Sequence, residues 1–369
     1  MIYDAKIFGA DPQEFSKVLY CMEGFPASGI PVKYEIAGGS ERIPPGSSSC
    51  VGERYSSMPN FSGRKVPSLR RKSWACRMTA QVLPPVTTIM VTGVCGLKCP
   101  FCFGPVPSTP TLDISDWRNI LKFLRIHSVA VLLIGGGEPT AYPQIHEFLE
   151  SARAFGFRSS LATSCHWPSR AESLLDYLDW IEISLHGSTA VLHAQSGLSP
   201  RSFDGVFEVL EILSRREDPK VKINTVVSQI NWSNLEAIAQ RLAGYRVRTL
   251  KWLEVRPRGQ ALLNIQWLPW SFAENKDYLN EARMKCSDIL RGTDIVVSPA
   301  DRGDNAYLIV DPDGRVFVPK GSEEVSLGNI RQVLAGSELE KAAFVETVGK
   351  HVSTDKLVGV FEESFSRKT

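Results

Sequence analysis

The chain lacks the features that mark exported, membrane-spanning or strongly charged proteins. Its 369 residues contain no apolar run near the roughly 18 residues of a membrane helix, and the start MIYDAKIFGADPQEF has no basic segment leading into an apolar one. A cytoplasmic location away from membranes is the expectation. The formal net charge is only +2, from 42 Lys and Arg against 40 Asp and Glu, a balance that calls for no nucleic-acid partner. Cysteine is scarce late in the chain, where only Cys286 lies beyond residue 165. The eight cysteines, three of them crowded into residues 95–102, do not have the distribution of a secreted disulfide framework. Neither disorder nor a fibrous fold fits 43% apolar and 22% charged residues, and the length suffices for one large α/β domain with an added segment.

The texture changes once along the chain. Residues 1–85 are rich in Gly, Pro and Ser and read as a loop-rich accessory segment. From residue 86 short apolar runs alternate with amphipathic stretches, the pattern of βα units around a parallel sheet. The predicted strands are Val86–Val94, Ala130–Ile134, Ser159–Thr163, Trp180–Leu185, Lys220–Val227 and Thr249–Val255. Apolar spacing near 3.6 predicts helices over Ile114–His127, Tyr142–Phe155, Arg170–Leu178, Asp204–Arg215 and Ser233–Ala243. Asp113 is placed to cap the first, and Ser233 with Glu236 has the spacing of a capping box for the last. This (βα)6 core is expected to occupy residues 86–260. A C-terminal α/β extension, 261–369, should hold a helix over Phe272–Leu290, a run at Ile295–Ser298, a hairpin turning at Asp313-Gly314 and a last helix over Ser337–Val348.

Two motifs carry chemistry. VTGVCGLKCPFCFG sets Cys95, Cys99 and Cys102 in a CxxxCxxC spacing directly after the first core strand. Thiolates at this spacing suit an iron–sulfur cluster, and three of them leave one iron open for a ligand. A structural zinc site would want a fourth Cys or His at finger spacing, and none lies nearby. At the end of the second strand LLIGGGEPT supplies Gly136, Gly137 and Glu138, a turn in which glycines let backbone approach a ligand.

CxxxCx-aromatic-C after the first strand, followed by GGEP after the second, resembles the radical S-adenosylmethionine superfamily. The resemblance implies a partial TIM barrel with its site at the carboxyl ends of the strands. It implies one [4Fe–4S] cluster on the three cysteines, with S-adenosylmethionine chelating the fourth iron, and an electron donor such as flavodoxin or ferredoxin. Phe101 would lie near the adenine, Gly136, Gly137 and Glu138 would meet the methionine amino group, and Ser184 in IEISLHG would contact the carboxylate or ribose. The enzyme would then cleave its cofactor to a 5′-deoxyadenosyl radical that abstracts hydrogen from substrate. Lys320 stands where relatives with extra clusters carry a cysteine, so a single cluster is expected. Cys165, ending the third strand, is expected at the barrel mouth, where some radical epimerases place a cysteine that returns a hydrogen atom.

The late strands bear on the substrate. Lys222 and Asn224 share one face of KVKINTVV, and Lys251 lies in the next strand, ahead of Arg256 and Arg258. If that face is the barrel interior, it suits a phosphate or carboxylate. Lys222, Asn224, Lys251 and Tyr307, with the CPFCF context, are similar to the viperin family, which acts on nucleotides, whereas ISLHGSTAVLHAQSG departs from that pattern. The expected substrate is therefore a small, anionic nucleotide-, nucleoside- or sugar-type molecule. A radical enzyme that modifies a ribosomal peptide, holding it with the N-terminal segment, is the alternative. A basic run at Arg64, Lys65, Arg70, Arg71, Lys72 and Arg77 reads as a solvated face, or as a lid that closes over the barrel mouth onto an anionic substrate.

Overall fold

A computed structural model describes residues 83–264 and 269–353. The basic run at 64–77 and the expected accessory segment lie outside the described residues, apart from positions 83–85. The described residues all belong to one compact unit.

The six predicted strands are all present: β1 Val86–Thr92, β2 Val131–Gly136, β3 Arg158–Thr163, β4 Trp180–Ser184, β5 Lys220–Val227 and β6 Val247–Glu254. They lie side by side in chain order and run parallel, so the chain builds a right-handed βα series, as parallel crossovers require. Four further strands extend this sheet. β7, Asp294–Ser298, pairs parallel to β6, while β8, Leu308–Val310, pairs parallel to β1 at the opposite edge. β9, Arg315–Lys320, and β10, Glu323–Asn329, continue antiparallel from β8. The Asp313-Gly314 turn joins β8 to β9, with Gly314 at φ +84°, as its sequence predicts. Described residues thus give a ten-stranded open sheet of the partial-barrel type, with β7 and β10 as its edges.

Alternation along the strands decides what each face does. Ile89, Val91, Leu132, Ile134, Leu161, Ile181, Ile183, Ile223, Leu250 and Trp252 point to the outer face and form one apolar layer with the helices. The helices α1 (Ile114–Ile126), α2 (Ile145–Ala154), α3 (Pro168–Glu172), α4 (Ala190–Gln195), α5 (Pro200–Leu213) and α6 (Leu235–Leu242) follow the strands. In α1 the buried side chains Trp117, Ile120, Leu121 and Leu124 recur at helical spacing, and Trp117 meets Phe148 of α2 edge-on at 5.6 Å. Each fully buried residue of this size contributes roughly 1.5–3 kcal/mol. Asp113 caps α1 through the Asp116 amide, as expected. Ser233 does not cap α6: it lies inside a 3₁₀ turn, Trp232–Asn234, and the helix starts after Asn234 without a side-chain cap. The capping box of this region is instead Ser199 with Ser202, at the start of α5.

The inner face is divided. Around β8, β1 and β2 it is apolar, with Val86, Met90, Val131, Ile309 and Phe317 buried there. From β3 to β6 it carries Ser160, Glu182, Ser184, Lys222, Asn224 and Lys251.

α5 packs very close to the end of β3, because Gly205 has no side chain. A Cβ there would sit 2.1 Å from the Cys165 carbonyl oxygen. Gly205→Ala should therefore displace the helix and lower the unfolding free energy by about 1–3 kcal/mol, read from urea denaturation at unchanged m-value.

Candidate active site

The loop that follows β1 is gripped from three sides. The Cys102 amide bonds the Cys99 carbonyl at 3.1 Å, forming a turn, and the Gly104 amide donates to the Cys102 sulfur at 3.4 Å. From the end of α4, Gly197 at φ +85° presses so close that a Cβ would lie 2.6 Å from the Cys99 Cα, and its carbonyl accepts from the Lys98 amide. From beyond β6, the Gln260 amide donates to the Cys102 carbonyl at 2.8 Å and Asn264 Nδ2 to that of Pro100 at 3.0 Å.

Cys95, Cys99 and Cys102 are half-buried free thiols within this loop. Burial, and then the proximity of Cys102 and Cys95, pushes the Cys99 thiol up to about 12. Cys95 is raised by burial, with smaller contributions from Glu138 and Cys102. Three mutually destabilising thiolates are a natural cation site, since a bound metal reverses that repulsion. Among the described residues no three Cys, His, Asp or Glu side chains converge on a single ion. By its chemistry, a set of three thiolates suits an iron–sulfur cluster with one iron left open, whereas a structural zinc takes four closed ligands.

Directly beneath lies the glycine turn. The Gly137 amide bonds Thr92 O at 2.7 Å and the Glu138 amide bonds Val94 O at 2.8 Å, so the end of β2 is laced to the root of the cysteine loop. Neither glycine has room for a side chain: a Cβ on Gly136, at φ +128°, would meet Thr92 O at 2.4 Å, and one on Gly137 would meet Val94 O at 2.4 Å. Glu138 is placed differently from expectation. It is 2% exposed, and its carboxylate accepts five hydrogen bonds from the protein: the Thr140 amide and hydroxyl, the Thr163 hydroxyl, and the Ser164 amide and hydroxyl at 2.6 Å. It clamps β2 to the end of β3 instead of reaching outward.

Cys165 also requires correction. It is fully buried in the layer between sheet and helices, with a left-handed backbone at φ +55°, and burial followed by Glu138 pushes its thiol well up. The chain turns left-handed at Cys165, two residues beyond the end of β3, and its side chain packs into this layer and not into the mouth.

Phe101 is half-buried and meets the His186 ring edge-on at 5.1 Å, packing with Val255 and Ala261. His186, in the SLHG segment, was not singled out by its sequence. Its Nδ1 accepts from the Val226 amide at 3.2 Å, which places its proton on Nε2, and burial together with His193 holds it down to about 3, so the ring is neutral.

Ser184, Asn224 and Lys251 stand in one row across β4, β5 and β6, with Glu182 opposite Lys222 in the row below. Glu182, also unanticipated, bonds Lys222 Nζ at 3.0 Å, Asn224 Nδ2 at 2.9 Å and the Ser160 hydroxyl at 2.9 Å. Burial raises its carboxyl, but Lys222, Asn224 and Lys251 outweigh that and hold it at about 2. Its signal was present in WIEIS, where a carboxylate shares parity with Ser184. Tyr307 packs with Val86, Met90, Val131 and Ile309 on the inner face, in the sector beside β1 and β2. Arg258 is buried in a clasp with Asp304 at 3.1 Å and the Gly321 carbonyl at 2.6 Å.

Comparison with known proteins defines the class. Residues 89–242 match the model of the Radical SAM superfamily. The chain is 24% identical over 243 residues to an S-adenosylmethionine-dependent nucleotide dehydratase of a Thermoplasmatales archaeon, covering 64% of this chain and 83% of that one. It is 27% identical over 240 residues to a PqqA peptide cyclase of Ruegeria pomeroyi, covering 62% and 60%. Its fold is like that of SuiB from Streptococcus suis bound to S-adenosylmethionine, with a TM-score of 0.55 at 17% identity over 78% of this chain and 69% of that one. Residues 89–242 thus carry a Radical SAM domain, and the chain is an enzyme. Its cofactors are those of the family, a [4Fe–4S] cluster and S-adenosylmethionine. No described helix is long and apolar enough to cross a membrane.

Two outcomes test the placement of these residues. Cys99→Ala, reconstituted anaerobically, should lose most of its iron and its brown absorbance, where the parent holds about four irons per chain. Glu138→Ala should lower the unfolding free energy by about 3 kcal/mol or more, at about 1–3 kcal/mol for each buried donor left unpaired. An unchanged melting curve would show that the five donors find other partners.

Proposed function

We propose that Cys95, Cys99 and Cys102 hold the cluster, that the turn at Gly136 and Gly137, with Phe101 and Ser184, seats S-adenosylmethionine, and that the β3–β6 sector of the inner face holds a polar, nucleotide- or nucleoside-type substrate. When bound, the cluster would supply one electron, and S-adenosylmethionine a 5′-deoxyadenosyl radical, for hydrogen abstraction from the substrate. The chain's own contribution is position and exclusion. The laced glycine turn fixes the cysteine loop relative to β2, Phe101 offers an aromatic wall braced by His186, and the apolar β8–β1–β2 sector keeps labile hydrogen donors away from the radical. Cys165, buried in the outer layer, is not assigned a part. The electron is expected from a flavodoxin- or ferredoxin-type donor.

The observation that carries the substrate reading is the polar group on the inner face, Ser160, Glu182, Lys222, Asn224 and Lys251, in a position that would otherwise be apolar core. Side chains that cost desolvation free energy at the centre of a sheet are retained where a ligand is to be bound. The named nucleotide dehydratase among the relatives agrees with this reading. Peptide modification remains the second reading, favoured by the similarity to a peptide cyclase.

Anaerobic reconstitution followed by a screen of nucleotides, nucleosides and peptides for stimulated 5′-deoxyadenosine release separates the two. In the first reading Lys251→Ala should raise the concentration of nucleotide or nucleoside monophosphate needed for half-maximal stimulation by one to two decades, since a charge-assisted hydrogen bond contributes roughly 1.5–3 kcal/mol, with iron content unchanged. Stimulation by a peptide and by no nucleotide would favour the second.

A further inference from the structure

The inner-face lysines were expected to form an anion clamp. The side chain that decides otherwise is Glu182. It sits on β4 opposite Lys222, with 15% of its side chain exposed against 3% for Lys222, and the two form an ion pair at 3.0 Å. The positive charge of Lys222 is thus matched by a fixed negative charge one strand away, which any approaching phosphate would also meet.

Glu182 acts on Asn224 as well. An ionised carboxylate can only accept hydrogen bonds, so the Asn224 group facing Glu182 at 2.9 Å must be the amide nitrogen. The other end of the amide is then its carbonyl oxygen. That oxygen, Oδ1, is buried and has no hydrogen-bond partner among the described residues. It stands in the row of Ser184 and Lys251. A buried acceptor without a donor is costly, and turning the amide over would set its oxygen against the carboxylate, which is worse. Asn224 is therefore committed to accepting.

We infer that Glu182 makes this sector a reader of hydrogen-bond donors and not of polyphosphate: Asn224 Oδ1 takes a hydroxyl or amino hydrogen of the substrate, Lys222 is held compensated, and Lys251 serves at most one negative charge. The substrate class that fits is a nucleoside or nucleoside monophosphate, whose sugar hydroxyls or base amino group supply the donor, rather than a nucleoside triphosphate. This deepens the nucleotide-type reading above and rests on it for the identity of the substrate, but the donor-reading geometry can be tested without it.

The test uses the reconstituted full-length holoenzyme and two probes. Inorganic tripolyphosphate, followed by calorimetry, should bind Glu182→Gln at least tenfold more tightly than the parent, because Lys222 is released and the amide of Asn224 is free to turn its donors inward. Binding at basic positions common to both proteins cancels in that ratio. Equal affinity for the two proteins overturns the inference. In the second arm, a nucleoside, its monophosphate and its triphosphate are compared as stimulants of 5′-deoxyadenosine release. The parent should respond to the nucleoside or monophosphate at concentrations at least tenfold below the triphosphate, and a preference for triphosphate overturns the inference. Asn224→Leu, which removes the acceptor without disturbing Lys222, should raise the half-stimulating nucleoside concentration at least tenfold and leave the tripolyphosphate affinity unchanged; no change in the nucleoside response counts against the inference. Should no nucleoside or nucleotide stimulate the parent, the nucleotide-type reading fails, while the tripolyphosphate ratio still decides the role of Glu182. Iron content and a cooperative melt establish that Glu182→Gln has folded, and if it has not, the parent's order of preference and the Asn224→Leu comparison decide.

Discussion

The buried carboxylate of Glu138 is the constraint on which the site's geometry depends. Five protein donors converge on it from its own turn and from the end of β3, while the amide of the same residue bonds back to Val94 at the root of the cysteine loop. One residue thereby fixes three consecutive strand ends. Because the neighbouring glycines leave no space above Thr92 and Val94, the cysteine loop is seated directly on this turn. A cluster that must hold a cofactor with one iron open gains from such rigidity, since small displacements of a reacting centre cost orders of magnitude in rate.

A second division follows from strand alternation alone. The outer face is mainly apolar and holds the helices, so most of the fold's buried apolar surface lies there. The inner face contributes less to stability and is correspondingly available for chemistry, apolar on the β8–β1–β2 side and polar from β3 to β6. Within the polar part Glu182 sets the electrostatics, balancing Lys222 and fixing the sense of Asn224.

Much of this was legible in the sequence, because it rests on local patterns. Short apolar runs marked β1 to β6, and the cysteine loop and the glycine turn follow the ends of β1 and β2. What was not legible depends on partners far apart in the chain. Nothing near Glu138 announces Thr163 and Ser164 as its donors, so the burial of its carboxylate could not be read from the sequence. Cys165 was misplaced because a strand pattern does not reveal a left-handed residue just beyond the strand's end. Ser233 had the right spacing for a capping box, but the 3₁₀ turn at Trp232 absorbed it. The pairing of β8 with β1 joins the end of the chain to its first core strand, which periodicity cannot foresee. Arg258 read as a ligand for anions until Asp304 and Gly321 were seen to hold it.

The central claim is that the loop carrying Cys95, Cys99 and Cys102 presents a cluster with one iron open to S-adenosylmethionine, seated over the glycine turn. Electron paramagnetic resonance of the anaerobically reduced protein tests it most directly, recorded before and after the cofactor is added. The account predicts a reduced-cluster signal whose g-values shift on addition of S-adenosylmethionine, because the cofactor ligates the cluster itself. A reduced cluster whose spectrum is the same with and without saturating cofactor would contradict it.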